Sequence, residues 1–169
     1  KIKDLKNGRQ YFERALGCHR DYSLPGAPLP GILIDTFIRL VKAEACEEKS
    51  LEWHQFSIEF LNEVSLSTPA GKMALAIIRI DEKAYTQAKN ILSDLVGELK
   101  KSENLGYLLQ ALILYAITLF QTKDKEKSYS ILEETLEIGI ETGAMRVFLE
   151  QGELLLNMIE VYERTANGC

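Results

Sequence analysis

Shifting the sequence by 40 residues lays Met73 on Ile113, Ala76 on Ala116, Ile77 on Ile117 and Ile80 on Phe120. The same shift lays Ala88 on Ser128, Leu92 on Leu132 and Val96 on Leu136, so small residues fall on small and large on large. A weaker third copy sets Leu33, Phe37 and Leu40 against Met73, Ile77 and Ile80. A recurrence of this length across two successive apolar patterns is the mark of stacked helical hairpins, in which neighbours bury a core that none buries alone.

The patterns inside the repeat are helical. Over residues 83–101, Ala84, Ala88, Ile91, Leu92, Leu95, Val96 and Leu99 follow i, i+3/i+4 spacing with polar residues between them. Residues 124–142 repeat this through Ser128, Ile131, Leu132, Thr135, Leu136 and Gly139, with Asp124 placed as an N-cap and Gly143 as the stop. Residues 105–120 are apolar at nearly every position. A membrane span needs about 20 such residues, and this run is shorter and flanked by Lys100, Lys101 and Lys123. It predicts a helix buried on several sides, in the middle of a larger stack.

Elsewhere the spacing predicts helices over 2–18 (Leu5, Phe12 and Leu16 inward), 33–48, 51–64 (Trp53, Phe56, Phe60), 69–81 opened by Pro69, and 145–164 (Phe148, Leu155, Met158, Ile159, Tyr162). Residues 23–31 hold three prolines and two glycines and predict a loop. The sum is eight helices on short connections, which make antiparallel neighbours. The expected fold is all-α: antiparallel helical hairpins stacked as a right-handed, tetratricopeptide-like superhelix. One helical-repeat domain is expected over 1–169, with less regular helices in 1–66 and hairpins in 69–164. The first Met is Met73, so the chain reads as excised from a larger protein.

Composition narrows the function classes. At 169 residues and 46% hydrophobic, the chain can bury a core without a disulfide or metal. A net charge of −5 argues against a nucleic-acid surface on this chain, because phosphate binding wants clustered Lys and Arg. Cys18, Cys46 and Cys169 are an odd set without CxxC, which reads as reduced thiols and a cytoplasmic location, with Cys18 and Cys46 as small core residues. Cys18, His19, Cys46 and His54 lack zinc-ligand spacing, and neither a Cys/His nucleophile pair nor an acid/base pair of carboxylates stands out. Glu133, Glu134, Glu137 and Glu141 recur at helical spacing as a solvated outer face, and residues 123–127 are a mixed-sign turn. No enzyme, cofactor or metal is expected.

The segment from Ala88 to Gly143, followed by Arg146, Phe148, Glu150 and Gly152, resembles the helical-repeat region of large LuxR-family transcriptional activators of the MalT kind. Leu108, Leu109, Gln110, Ala111 and Leu112 match the first element of that pattern, and Arg146-x-Phe-x-Glu-x-Gly152 the second. Trp53 matches the aromatic that opens the preceding segment, although the residues after it depart from the pattern. The resemblance covers about residues 50–162 and is strongest over 84–156. It implies flanking ATPase and DNA-binding domains and a sensor role for the repeats. Gly26 and Gly31 have the spacing of a P-loop, but Ile32 and Leu33 follow, so no phosphate-binding Lys is present.

The expected function is therefore the sensor or interaction domain of a bacterial multidomain activator, taking a small-molecule inducer or a regulatory protein in a groove. The alternative is a stand-alone scaffold module that binds a peptide or protein. Groove candidates are Arg79, in an otherwise apolar run, Tyr107, Gln110 and Tyr115, which interrupt the most apolar helix, and Arg146 of the resembling motif. Exposed apolar ends of an excised stack also favour a homodimer.

Overall fold

The computed structural model describes residues 5–22, 33, 36–37, 40, 60, 68–102, 104–149, 151 and 153–166. All regular structure among them is helical. In chain order the helices are α1 (Leu5–Tyr22), α2 (Pro69–Asp81), α3 (Tyr85–Leu99), α4 (Leu105–Gln121), α5 (Lys125–Thr142), the single turn α6 (Arg146–Leu149) and α7 (Glu153–Ala166). The chain divides into two compact units, Lys1–Glu82 and Lys83–Cys169. The predicted loop 23–31, Trp53, Cys46, His54 and most of the helices expected over 33–48 and 51–64 lie outside the described residues.

In the first unit, Phe12 and Leu16 are buried one helical turn apart on α1. Phe12 meets the rings of Phe37 and Phe60 at centroid distances of 5.9 and 5.3 Å, and Phe37 and Phe60 lie 4.2 Å apart. Ring pairs at such separations add favourable quadrupole contact to their area burial. Cys18 is exposed, which corrects its expected place in the core. It stands two residues after Leu16, and two helical residues advance the chain by more than half a turn, onto the opposite face. Helix α1 also runs four residues beyond the expected stop. Helix α2 begins as predicted: Pro69 occupies the first turn, and the Thr68 hydroxyl accepts the Gly71 N–H at 3.1 Å.

The second unit is built around α4, which packs against α3, α5, α6 and α7. Every residue from Ala111 to Leu119 is buried. The expectation of a central helix therefore holds, and its reason is visible. Ile113, Ala116 and Ile117 form one core cluster with Leu132 of α5, Phe148 of α6, and Leu155 and Met158 of α7. The polar residues inside this layer are satisfied. Thr118 donates to the Leu114 carbonyl at 2.7 Å, and Ser128 donates to the Ala116 carbonyl at 2.8 Å. Ser128 sits at the expected small crossing position, and its hydroxyl bridges α5 to α4.

The 40-residue period recurs in the backbone. Helices α2 and α4 end at 81 and 121, and α3 and α5 begin at 85 and 125. The turn between each pair carries a lysine in the left-handed region: Lys83 at φ 60° and Lys123 at φ 67°. Burial repeats too, with Met73 and Ile113, Ala76 and Ala116, and Leu92 and Leu132 all inaccessible or nearly so.

Two local expectations are corrected. Asp124 occupies the N-cap position of α5, but its side chain makes no capping hydrogen bond; its carboxylate lies 3.8 Å from Lys89 of α3 instead. The single helix expected over 145–164 is divided into α6 and α7. After Phe148, the Gln151 N–H returns to the Phe148 carbonyl and the Gln151 side chain takes the Val147 carbonyl at 2.9 Å, so the regular i→i−4 ladder stops. Gly143 terminates α5 as predicted, at φ 69°.

Candidate functional site

The groove candidates do not gather at one place. Arg79 belongs to the first unit, where its guanidinium pairs with Glu82 at 2.6 Å. The other four lie in the second unit. Tyr107 and Gln110 are three residues apart on α4, hence on one face, and both are half-buried. Asn104 holds this end of α4, its side-chain oxygen accepting the Tyr107 N–H at 3.3 Å. Arg146 opens α6 and is exposed.

Tyr115 faces elsewhere. It lies five residues beyond Gln110, about 140° round the helix, and is 4% exposed. Burial alone would raise its pKa. Hydrogen bonds to Ser93 of α3 and Lys127 of α5, with the positive charge of Lys127 and Lys89, outweigh that and hold the phenol below its ordinary value. The Lys127 ammonium is 5.5 Å from the Tyr115 ring centroid, and its own pKa is raised by the hydrogen bond to that phenol. Tyr115 thus pins α4 between α3 and α5 and points well away from Gln110. The residues flanking it could not be identified from the sequence, because Ser93 and Lys127 meet Tyr115 only through the packing of three helices.

A second set went unrecognised in the sequence. Tyr129 of α5 lies 4.8 Å from Tyr162 of α7 and 6.3 Å from Phe120 of α4, ring centre to ring centre. The Tyr162 hydroxyl donates to Glu133 at 2.5 Å, an interaction that raises the phenol's pKa. The buried Tyr129 hydroxyl finds no hydrogen-bond partner among the described residues. The available signal was the helical spacing of Tyr129 and Glu133, which puts an aromatic and a carboxylate on the same face.

The motif of the family resemblance has a packing role here. Phe148 is buried with its ring over Gly139, where a Cβ would stand 2.6 Å from the ring edge. The missing side chain of Gly139 lets Phe148 of α6 approach α5 this closely. Glu150 and Gly152 of that motif lie outside the described residues.

Among the described residues, no group of three or more His, Cys, Asp or Glu side chains is arranged to hold a metal ion. No helix among them is long and apolar enough to cross a membrane. What the arrangement offers chemically is a half-buried polar face on an otherwise apolar helix, the kind of surface on which a ligand or peptide is oriented by a few polar groups. Comparison with known proteins gives no match among family models, curated proteins or solved structures.

Proposed function

We propose that this chain is the sensor or interaction domain of a bacterial multidomain transcriptional activator of the MalT-like LuxR kind. Its hairpins stack as a right-handed, tetratricopeptide-like array, and the protein works in the cytoplasm. The observation that carries the reading is the 40-residue recurrence of helix boundaries and left-handed lysine turns, joined to a Phe148 that docks α6 on Gly139. The first supports a hairpin array. The second gives the motif shared with that family a physical reason to be there.

In this reading a small-molecule inducer or a regulatory protein rests on the Tyr107–Gln110 face. It favours one arrangement of the array over another, and so alters the exposure of flanking ATPase and DNA-binding domains. Such a shift requires different affinity for the two states. Reading the gene beyond both ends of this sequence tests the assignment. A P-loop ATPase on the N-terminal side and a helix-turn-helix on the C-terminal side are expected. A gene that encodes neither contradicts the regulator reading.

A stand-alone scaffold that binds proteins is the second reading. It is favoured by the large apolar side chains that the second unit leaves exposed, Leu149 and Ile140 foremost.

A further inference from the structure

Helix α1 carries an exposed stripe of its own. Among the described residues of the first unit, Tyr11 and Tyr22 are the large apolar side chains left exposed, at 69% and 88%. They stand eleven residues apart on one helix, which is three turns and about 20°. Ala15 and Cys18, both exposed, fall between them. The four follow one another at steps of four, three and four residues and lie within about 60° of arc. A mean step of about 3.5 residues is that of a seam along which two helices pack. The buried pair, Phe12 and Leu16, lies about 90–130° round from the stripe and does not use it.

The order along the stripe is large, small, small, large, so it is complementary to its own reverse. An antiparallel second copy, with the two-fold axis between Ala15 and Cys18, sets Tyr11 against Tyr22 of the second copy and Ala15 against its Cys18. The small pair lets the two helices approach, and the tyrosine rings meet at both ends. The charges agree with this direction. Among the described side chains of α1, Arg14 and Asp21 lie along one border of the stripe and His19 along the other, while Arg9, Glu13 and Arg20 lie on the opposite side of the helix. Arg14 and Asp21 are exposed, and neither enters an ion pair among the described residues. In an antiparallel pair the same border of both helices meets. Arg14 then comes within about 3 Å, along the axis, of Asp21 of the second copy, and the two Arg14 stand about 7–8 Å apart. A parallel pair turns the Arg14 border to the His19 border instead, and aligns Cys18 with Cys18.

We propose that α1 is a homodimerisation helix, whose Tyr11–Ala15–Cys18–Tyr22 stripe packs antiparallel on the same stripe of a second copy of this chain. Such an interface is isologous: each contact occurs twice. The inference goes beyond the ligand-face reading and stands separately from it, since α1 belongs to the first unit and Tyr107 and Gln110 to the second.

The test combines sedimentation of the full chain with disulfide trapping. A concentration-dependent dimer is expected. Tyr11→Lys with Tyr22→Lys is expected to weaken it about tenfold or more. Arg14→Glu is expected to weaken it too, and Asp21→Arg added to Arg14→Glu to restore it. These substitutions keep the unfolding midpoint, because the side chains are exposed. Trapping uses chains in which Cys46 and Cys169 are replaced by serine. One carries Cys18 alone, and the other carries Ala15→Cys with Cys18→Ser. Under mild oxidation the mixture is expected to cross-link across the axis, and each chain alone to cross-link little. A chain that sediments as a monomer at every concentration overturns the proposal. So does a dimer that survives Tyr11→Lys with Tyr22→Lys, or a charge swap that restores nothing. Cross-linking of the Cys18 chain alone as readily as the mixture overturns the antiparallel arrangement.

Discussion

Gly97 and Gly139 both sit inside helices, and they predict opposite responses to alanine. A Cβ on Gly97 meets nothing within 4 Å, so Gly97→Ala is expected to stabilise by about 0.5–1 kcal/mol through helix propensity alone. A Cβ on Gly139 would stand 2.6 Å from Phe148 Cε2 and 3.0 Å from Cζ. Gly139→Ala is expected to destabilise by about 1–2 kcal/mol net, because displacing a packed ring outweighs the propensity gain. Thermal unfolding of the two variants checks this, and equal shifts would contradict the seating of Phe148. Tyr115 gives a second residue-level prediction. Its pKa in the folded state is depressed, so the folded state releases that proton at lower pH than the unfolded chain does. Stability from this group rises as pH climbs from the folded value toward the ordinary phenol value, and it is absent below both. In an ultraviolet titration, one of the seven tyrosines is expected to ionise ahead of the rest. Tyr115→Phe removes that early phase, and Lys127→Met moves it upward. An early phase unaffected by either substitution contradicts the assignment.

At the level of elements, the turns at Lys83 and Lys123 share a backbone conformation and can be tested as a pair. Lys83 and Lys123 both hold positive φ, a region that costs a residue with a Cβ about 1 kcal/mol or more. Lys83→Gly and Lys123→Gly are each expected to raise stability, by up to about 1 kcal/mol after glycine's extra unfolded-state freedom is subtracted. A loss of stability in either, measured by denaturant unfolding, contradicts the shared turn geometry. These elements also separate what was legible in the sequence from what was not. The 40-residue period, the start of α2 at Pro69, the stop of α5 at Gly143 and the burial of α4 follow from local spacing and turn chemistry, which a single sequence carries. The break between α6 and α7 does not. Residues 145–164 keep an apolar period across it, and the interruption depends on Gln151 turning its side chain back to Val147. Asp124 stands at the N-cap of α5 as expected, but its side chain makes no capping bond. An aspartate ahead of a helix signals a cap, but the carboxylate lies near Lys89 on a neighbouring helix. Cys18 shows the limit of composition arguments, since small and apolar did not mean buried.

At the scale of the molecule, four of the five groove candidates divide into three kinds that sequence position could not separate. Arg79 is tied to Glu82, Tyr115 braces α3 against α5, and Tyr107 and Gln110 share a half-buried face. The second unit thus has a half-buried polar face on α4. The central claim is that the α4 face binds a ligand. The measurement that tests it most directly is thermal unfolding of the chain against sugars, small metabolites and nucleotides, with Tyr107→Ala and Gln110→Ala run beside it. A ligand at 100 times its dissociation constant adds about 2.7 kcal/mol, or about 5–10 °C in midpoint for a chain of this size. The account predicts such a shift with one chemical class, diminished by both alanine variants and retained by Tyr115→Phe. A panel that moves no midpoint, or a shift that survives both alanine variants, contradicts it.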